Sequence, residues 1–283
     1  MSYRVGYLGP EATFTHMAVN RHFPEANRIP YATIPDCMDA VADGSIDFAV
    51  VPLENAIEGS VNITIDYLIH EQPLSIVGEI TLPVRQHLLV HPDHEATWES
   101  TKIVYSHPHA LAQCHKYMNT HLKGVRMEEM NSTSAAALYV KEHPEYQIGA
   151  IANELAAEKY GLVAVKKDIH TYQNNRTKFV VLHKQKNEEL IFNGNKQGEK
   201  TTLMITLPSD YAGALYQVLA AFAWRKLNLS KIESRPMKTG LGNYFFIIDV
   251  EGPFDSILLP GAKMELEALG CQVSTLGHYP CYE

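Results

Sequence analysis

The spacing of apolar positions changes along the chain, and the changes mark out its parts. Up to about residue 184, short Val- and Ile-rich runs take turns with stretches whose apolar residues recur three and four apart. "RVGYLG" precedes a helical stretch at about 12–23, and "DFAVVPLEN" precedes "EGSVNITIDYLIHE". "KIVYSHP" leads into "HALAQCHKYMNTHL", and "QIGAIAN" into "ELAAEKYG". Strands interleaved with amphipathic helices predict an α/β domain on mostly parallel sheet. The β-rich passage 74–92, broken by Pro83, fits a strand that crosses between two lobes. The chain would leave the first lobe near 80 and return near 155–180. This reading gives one lobe at about 1–77 and 157–184, and the other at about 78–156.

Residues 185–200, "QKNEELIFNGNKQGEK", lose the pattern and read as a polar linker. From 201 the order is strand, helix, strand, strand, helix, strand: "TTLMITLP", "ALYQVLAAFAWRKLN", "LSKIESRPMK", "NYFFIIDVEG", "SILLPGAKMELEALG" and "CQVSTLGHYP". That is the ferredoxin-like βαββαβ order, spanning 201–283. Gly240 and Gly242 in "GLGNYF" are followed by a strand, so they predict a hairpin turn and not a phosphate loop.

Composition narrows the function classes. The 283 residues are 46% hydrophobic and 20% charged, as in a globular chain, with a net charge of −8 and no basic run. Nucleic acid is an unsuitable partner for such a balance. Cys37, Cys114, Cys271 and Cys281 are scattered without a C-x-x-C spacing, which suits reduced thiols in the cytoplasm. The N-terminal segment lacks the apolar core of a signal peptide, and the longest apolar run, 218–224, is too short to span a membrane. Fourteen histidines, six of them between 87 and 115, show no ligand spacing, so no metal site is expected.

Candidate chemistry gathers where strands run into helices. Thr13 and Thr15 follow one strand; Glu54, Asn55 and Glu58 follow another. Ser106 with His107, Asn131 to Ser134, and Asn153 with Glu154 follow three more. N-capping alone explains such residues at any single helix. Five such ends in one domain argue for a shared polar cleft, because open α/β sheets bind ligands at the carboxyl ends of their strands. "NNRTKF" adds Thr177 between two cations, Arg176 and Lys178, at the mouth of a strand. A small ligand bearing carboxylates fits this set.

The motifs "GPEATF", "VPLENAIEGSV", "YSHPHALAQC", "NSTSAAA" and "NNRTKF", with "GAL" at 213–215 and "ESRP" at 233–236, together resemble the prephenate dehydratases over nearly the whole chain. The resemblance implies a two-lobed, periplasmic-binding-protein-like (type 2) catalytic domain over 1–184, followed by an ACT regulatory domain. It implies loss of water and carbon dioxide from prephenate to give phenylpyruvate, with no cofactor. Thr177 would donate a hydrogen bond to the departing ring hydroxyl, polarised by Arg176 and Lys178, with Phe179 packed under the ring. Lys178 stands where the family pattern has arginine. Thr13, Asn55, Glu58, Ser106, His107, Ser132 and Thr133 would orient the ligand. L-Phenylalanine, as feedback effector, would bind Gly213, Ala214, Leu215, Asn228, Glu233, Ser234 and Arg235 in a homodimer or homotetramer. Two other readings remain at this stage: an arogenate dehydratase, and a non-catalytic sensor of aromatic acids.

Overall fold

The computed structural model describes residues 2–185, 193–209, 211–237 and 244–283. Residues 186–192 of the expected linker and the expected hairpin at Gly240 and Gly242 lie outside the described residues. The chain divides into two compact units, Met1–Pro73 with Ile80–Val180, and Leu74–Glu79 with Val181–Glu283. Among the described residues no helix is long and apolar enough to cross a membrane.

The first unit carries two sheets. The first lobe contains β1 (Arg4–Leu8), α1 (Phe14–His22), β2 (Asn27–Tyr31), α2 (Ile34–Ala42), β3 (Phe48–Asn55), β4 (Gly59–Ser60) and α3 (Asn62–His70). It also holds the later part of β5 (Ser75–Pro83). The second lobe runs from β6 (His87–Val90) through a 3₁₀ segment, Pro92–Ser100, to β7 (Ile103–Ser106) and α4 (Pro108–His121). It continues with β8 (Arg126–Glu129), α5 (Thr133–Glu142), β9 (Ile148–Ala152), α6 (Glu154–Tyr160) and β10 (Val163–Lys166). The chain then returns to the first lobe as β11 (Arg176–His183).

In the first sheet the order is β2-β1-β3-β11-β5, with β1 parallel to both β2 and β3. Parallel strands buried on both faces need continuous apolar runs, and Phe48–Leu53 of β3 supplies one. The second sheet has the order β10-β6-β9-β7-β8. Here β7 is parallel to β8 and β9, while β6 is antiparallel to β9 and β10, so this lobe is mixed where parallel sheet was expected. Its strands span 87–166, so the return falls after β10 and not near 157.

One loop of the first lobe belongs to the core of the second. Ala12, fully buried with φ of 62°, packs among Leu89, Ala136, Ala137, Ala150 and Ala156. Its carbonyl accepts from Asn153 Nδ2 at 3.0 Å, and the Glu11 carbonyl accepts from the Ser134 hydroxyl. The next residue, Thr13, is therefore held from both lobes. That is what fixes the start of α1.

The second unit contains β12 (Lys196–Thr206), α7 (Ala214–Ala223), β13 (Leu229–Pro236), β14 (Tyr244–Glu251), α8 (Leu258–Ala268) and β15 (Gln272–Tyr282). Its antiparallel strands take the order β13-β14-β12-β15, with the first part of β5 beside β15. This is the ferredoxin-like arrangement, with Leu203, Ile205, Phe222, Ile248 and Leu266 in its core. Lys196 to Lys200, expected in the linker, are strand: Lys200 pairs with Tyr279 and Glu251. Their polar side chains concealed the strand, since alternation shows only where one face is buried.

A polar chain runs through the middle of this sheet. Thr202 Oγ1 donates to Asp249 Oδ1 at 2.7 Å and lies 2.6 Å from the hydroxyl of Tyr279, which is fully buried. Burial, foremost, raises the Asp249 pKa; the Thr202 hydrogen bond offsets part of this, and Glu79 adds to it. A carboxyl whose folded pKa is raised gives up stability as pH climbs through that pKa, and recovers it below the unfolded value of ~3.9. Asp249→Asn keeps the acceptor for Thr202. It should melt a few degrees higher than the parent at pH 7, with the advantage fading towards pH 4 in thermal melts across pH.

Candidate active site

Four helices aim their N-termini at one cavity in the first unit. The N-cap positions of α1, α3, α4 and α5 are Thr13, Val61, His107 and Ser132, and all four line a cavity of about 520 Å³. Thr13, His107 and Ser132 use side-chain oxygen or nitrogen to accept the N–H of His16, His109 and Ala135. Free N–H groups and the helix dipole make such ends favourable to anions. No lysine or arginine is among the described residues lining the cavity, and Glu58 is its single carboxylate. The positive potential here is supplied by backbone.

Thr177 sits on the wall in a defined hydrogen-bonded setting. Asn55, the last residue of β3, donates from Nδ2 to Thr177 Oγ1 at 2.9 Å. Asn55 Oδ1 accepts the backbone N–H of Ile57 at 3.0 Å and of Glu58 at 3.1 Å. Two donors on the oxygen leave only the amide NH₂ to face Thr177. The threonine oxygen is thus an acceptor towards Asn55, and its own hydrogen is left to point at a ligand. Phe179, two residues on and on the same strand face, lines the cavity beside Val84, Phe14 and Leu8.

Thr13, Asn55, Glu58, His107, Ser132, Thr133, Thr177 and Phe179 are brought together as expected from the sequence. Three expected residues are not. Arg176 and Lys178 neighbour Thr177 in a strand, so alternation sends them to the opposite face; neither lines the cavity, and Lys178 Nζ pairs with Glu54 Oε2 at 3.3 Å. The cations therefore do not polarise Thr177; Asn55 takes that position. Ser106 is fully buried and donates to the Ile151 carbonyl at 2.6 Å, which ties β7 to β9 and leaves it off the wall. The fifth strand end also stays away from the cavity, since Asn153 caps α6.

Sequence reasoning missed Gln86 and Gln113, both buried and both on the wall. Gln86 Oε1 has no hydrogen-bond partner among the described residues. Gln113 Oε1 accepts from Asn175 Nδ2 at 3.2 Å. Glutamine does not cap helices, so a search for capping residues passes over it; a polar residue inside the apolar stripe "ALAQC" was the available signal. His109 was also missed. Its backbone N–H lies 3.3 Å from His107 Nδ1, and its ring faces Glu58. Burial, then the neighbouring His109, lowers the His107 pKa. Among the described residues no three His, Cys, Asp or Glu side chains converge as metal ligands.

In the second unit, the expected effector residues fall at two places. Gly213, with φ of 93°, precedes α7 and leaves that helix without a side-chain cap; Ala214 is buried and Leu215 is exposed. On β13, Glu233 pairs with Arg235 at 3.2 Å and Lys231 at 3.1 Å, while Ser234 faces the other way. Asn228 Nδ2 donates to Glu251 Oε2 at 2.6 Å.

Known proteins resemble this chain over its full length. The prephenate dehydratase family model matches residues 5–187. A prephenate dehydratase of Bacillus subtilis is 58% identical over 283 residues, covering 99% of this chain and 99% of the relative. Among solved structures, the prephenate dehydratase of Arthrobacter aurescens in complex with L-Phe has a TM-score of 0.85 at 32% identity, covering 98% of this chain and 89% of that one. A structure described as a novel type of quorum quenching acylase also has a TM-score of 0.85, at 27% identity, covering 98% and 97%.

Proposed function

The chain belongs to the prephenate dehydratase family, and from that premise we infer how its cleft turns prephenate into phenylpyruvate, carbon dioxide and water. The activity follows the relative at 58% identity and not the acylase structure at 27%. The arogenate and sensor readings are not favoured. In class the enzyme is a decarboxylating carbon–oxygen lyase.

The observation that carries the mechanism is the Asn55–Thr177 hydrogen bond. Prephenate is a dianion, and the helix N-termini around the cavity receive its two carboxylates, with no lysine or arginine among the described residues of the wall. The apolar floor at Leu8, Phe14, Val84 and Phe179 takes the ring. The Thr177 hydroxyl donates to the ring oxygen, and that hydrogen bond strengthens as the C–O bond lengthens and negative charge builds there. The bonding pair of the departing carboxylate becomes ring π density, which expels the oxygen; the oxygen takes a solvent proton and leaves as water. Gln86 Oε1 and Gln113 offer further polar contacts that fix the ring hydroxyl's orientation. The test is direct: purified protein mixed with prephenate should generate the absorbance of phenylpyruvate, and a trace no faster than the spontaneous reaction would sink the reading.

L-Phenylalanine is the effector in this proposal, bound through the uncapped start of α7 in an ACT-like second unit, with a homo-oligomer as the regulated form. An effector shifts the protein towards whichever arrangement it binds better. Added L-phenylalanine should raise the melting temperature of the full chain by several degrees. A Cβ at Gly213 meets no atom within 4 Å, so a side chain there enters ligand space. Gly213→Asp puts a like charge where the amino acid's carboxylate would lie and should remove the shift, whereas Gly213→Asn, which carries the same strain at φ of 93° without the charge, should retain more of it; a shift that persists in the Asp variant places the effector elsewhere.

A further inference from the structure

The rim of the cavity carries a histidine–carboxylate contact for which the reaction has no evident use. Glu58 lies in the turn after β3, in the first lobe. His109 lies in the first turn of α4, in the second. His109 Nδ1 is 3.6 Å from Glu58 Oε2, so one contact spans the cleft. The two side chains are 58% and 39% exposed. An exposed pair of this kind contributes little to stability, and 3.6 Å is longer than a hydrogen bond. It is an electrostatic contact that a ligand can open.

Its position gives it a different importance. Glu58 is the single carboxylate among the described lining residues, and neither lysine nor arginine is there to answer it. His107 is the other base on the wall. Its lowered pKa and its use of Nδ1 as an acceptor at the start of α4 leave it uncharged at neutral pH. Glu129, the next acidic group near His107, does not line the cavity. A ring nitrogen that faces a carboxylate oxygen carries a hydrogen, because two lone pairs would repel. His109 is therefore the side chain placed to offset Glu58.

A bare carboxylate at this point would attract a cationic substituent and oppose an anionic one. The substrate carries an α-keto acid side chain. Arogenate, its amino-acid analogue, has the same ring and an α-ammonium in place of the keto oxygen. We propose that His109, by occupying Glu58, sets the cleft for the α-keto acid over the α-amino acid, and is a specificity-determining residue. The inference rests on the reading of the cleft as a prephenate site. With His109 gone, Glu58 is left to receive the ammonium, and the analogue gains where the dianion does not.

The experiment measures kcat/KM for prephenate and for arogenate with the purified full chain. His109→Leu should lower the prephenate-to-arogenate ratio by about tenfold, the size expected of one partly screened charge contact. His109→Lys, which keeps an N–H donor beside Glu58 and places a cation there, should hold the ratio at or above the parent value. Adding Glu58→Gln to His109→Leu should return it, since no carboxylate remains to attract the ammonium. A His109→Leu variant whose two kcat/KM values fall by the same factor would overturn the proposal, because that pattern is general damage. A parent chain that processes arogenate as readily as prephenate would also overturn it. Absence of phenylpyruvate formation in the parent is a different result, and removes the reading of the cleft itself.

Discussion

Thr177→Ala is expected to lower kcat/KM for prephenate by about a thousandfold, the scale seen when one preorganised donor to a developing oxyanion is removed. The deleted group is one hydroxyl and one methyl on a half-buried strand position, so the fold should survive. The melting temperature should stay within a few degrees of the parent, and the L-phenylalanine shift should be unchanged. Asn55 is what makes the expected loss large. Its NH₂ holds the threonine oxygen from one side, so the hydroxyl hydrogen is already aimed when substrate arrives and costs little reorganisation. Thr177→Ser retains the hydroxyl and should recover most of the rate, with KM raised by the freer rotamer. If Thr177→Ala turns over within tenfold of the parent, hydrogen-bond donation by this residue is not the catalytic term.

That hydroxyl was legible in the sequence; what polarises it was not. "NNRTKF" drew attention to Thr177 through the two flanking cations, yet flanking in a strand means pointing the other way. Period-two geometry was available from the sequence alone and already separated Arg176 and Lys178 from Thr177. The true neighbour, Asn55, is 122 residues away in the chain, and only the pairing of β11 with β3 brings them together. Capping residues were read well because a cap acts locally: Thr13, His107 and Ser132 each bond within three residues and each faces the cavity. Ser106 failed because it stands one residue before the cap, inside the strand, where β9 claims its hydroxyl. The mixed second sheet was hidden for a related reason. Val163–Lys166 and Arg126–Glu129 are four-residue strands of ordinary composition, and their places depend on partners far along the chain.

Lys200→Met should destabilise the protein by about 3–5 kcal/mol, the range for stripping one partner from a buried ion pair. For a chain of this size that corresponds to a fall of roughly 10 °C in melting temperature. Lys200 Nζ meets Glu79 Oε1 at 2.7 Å, and the two side chains are only 13% and 3% exposed. Burial alone would lower the lysine's pKa, but Glu79 outweighs it and the net shift is upward. A raised lysine pKa means the pair's stabilisation is fully present below the unfolded pKa of ~10.4 and is lost only as pH climbs through the folded value. Across the neutral range the pair should therefore be insensitive to pH. The cost in the variant arises less from lost attraction than from the carboxylate left behind in a setting with little water. Glu79→Gln combined with Lys200→Met removes that charge and should restore most of the stability, which urea unfolding of the parent, Lys200→Met and the double variant would measure. Near-equal losses in the single and double variants would mean that packing of the lysine stem, and not the stranded carboxylate, is what holds this sheet.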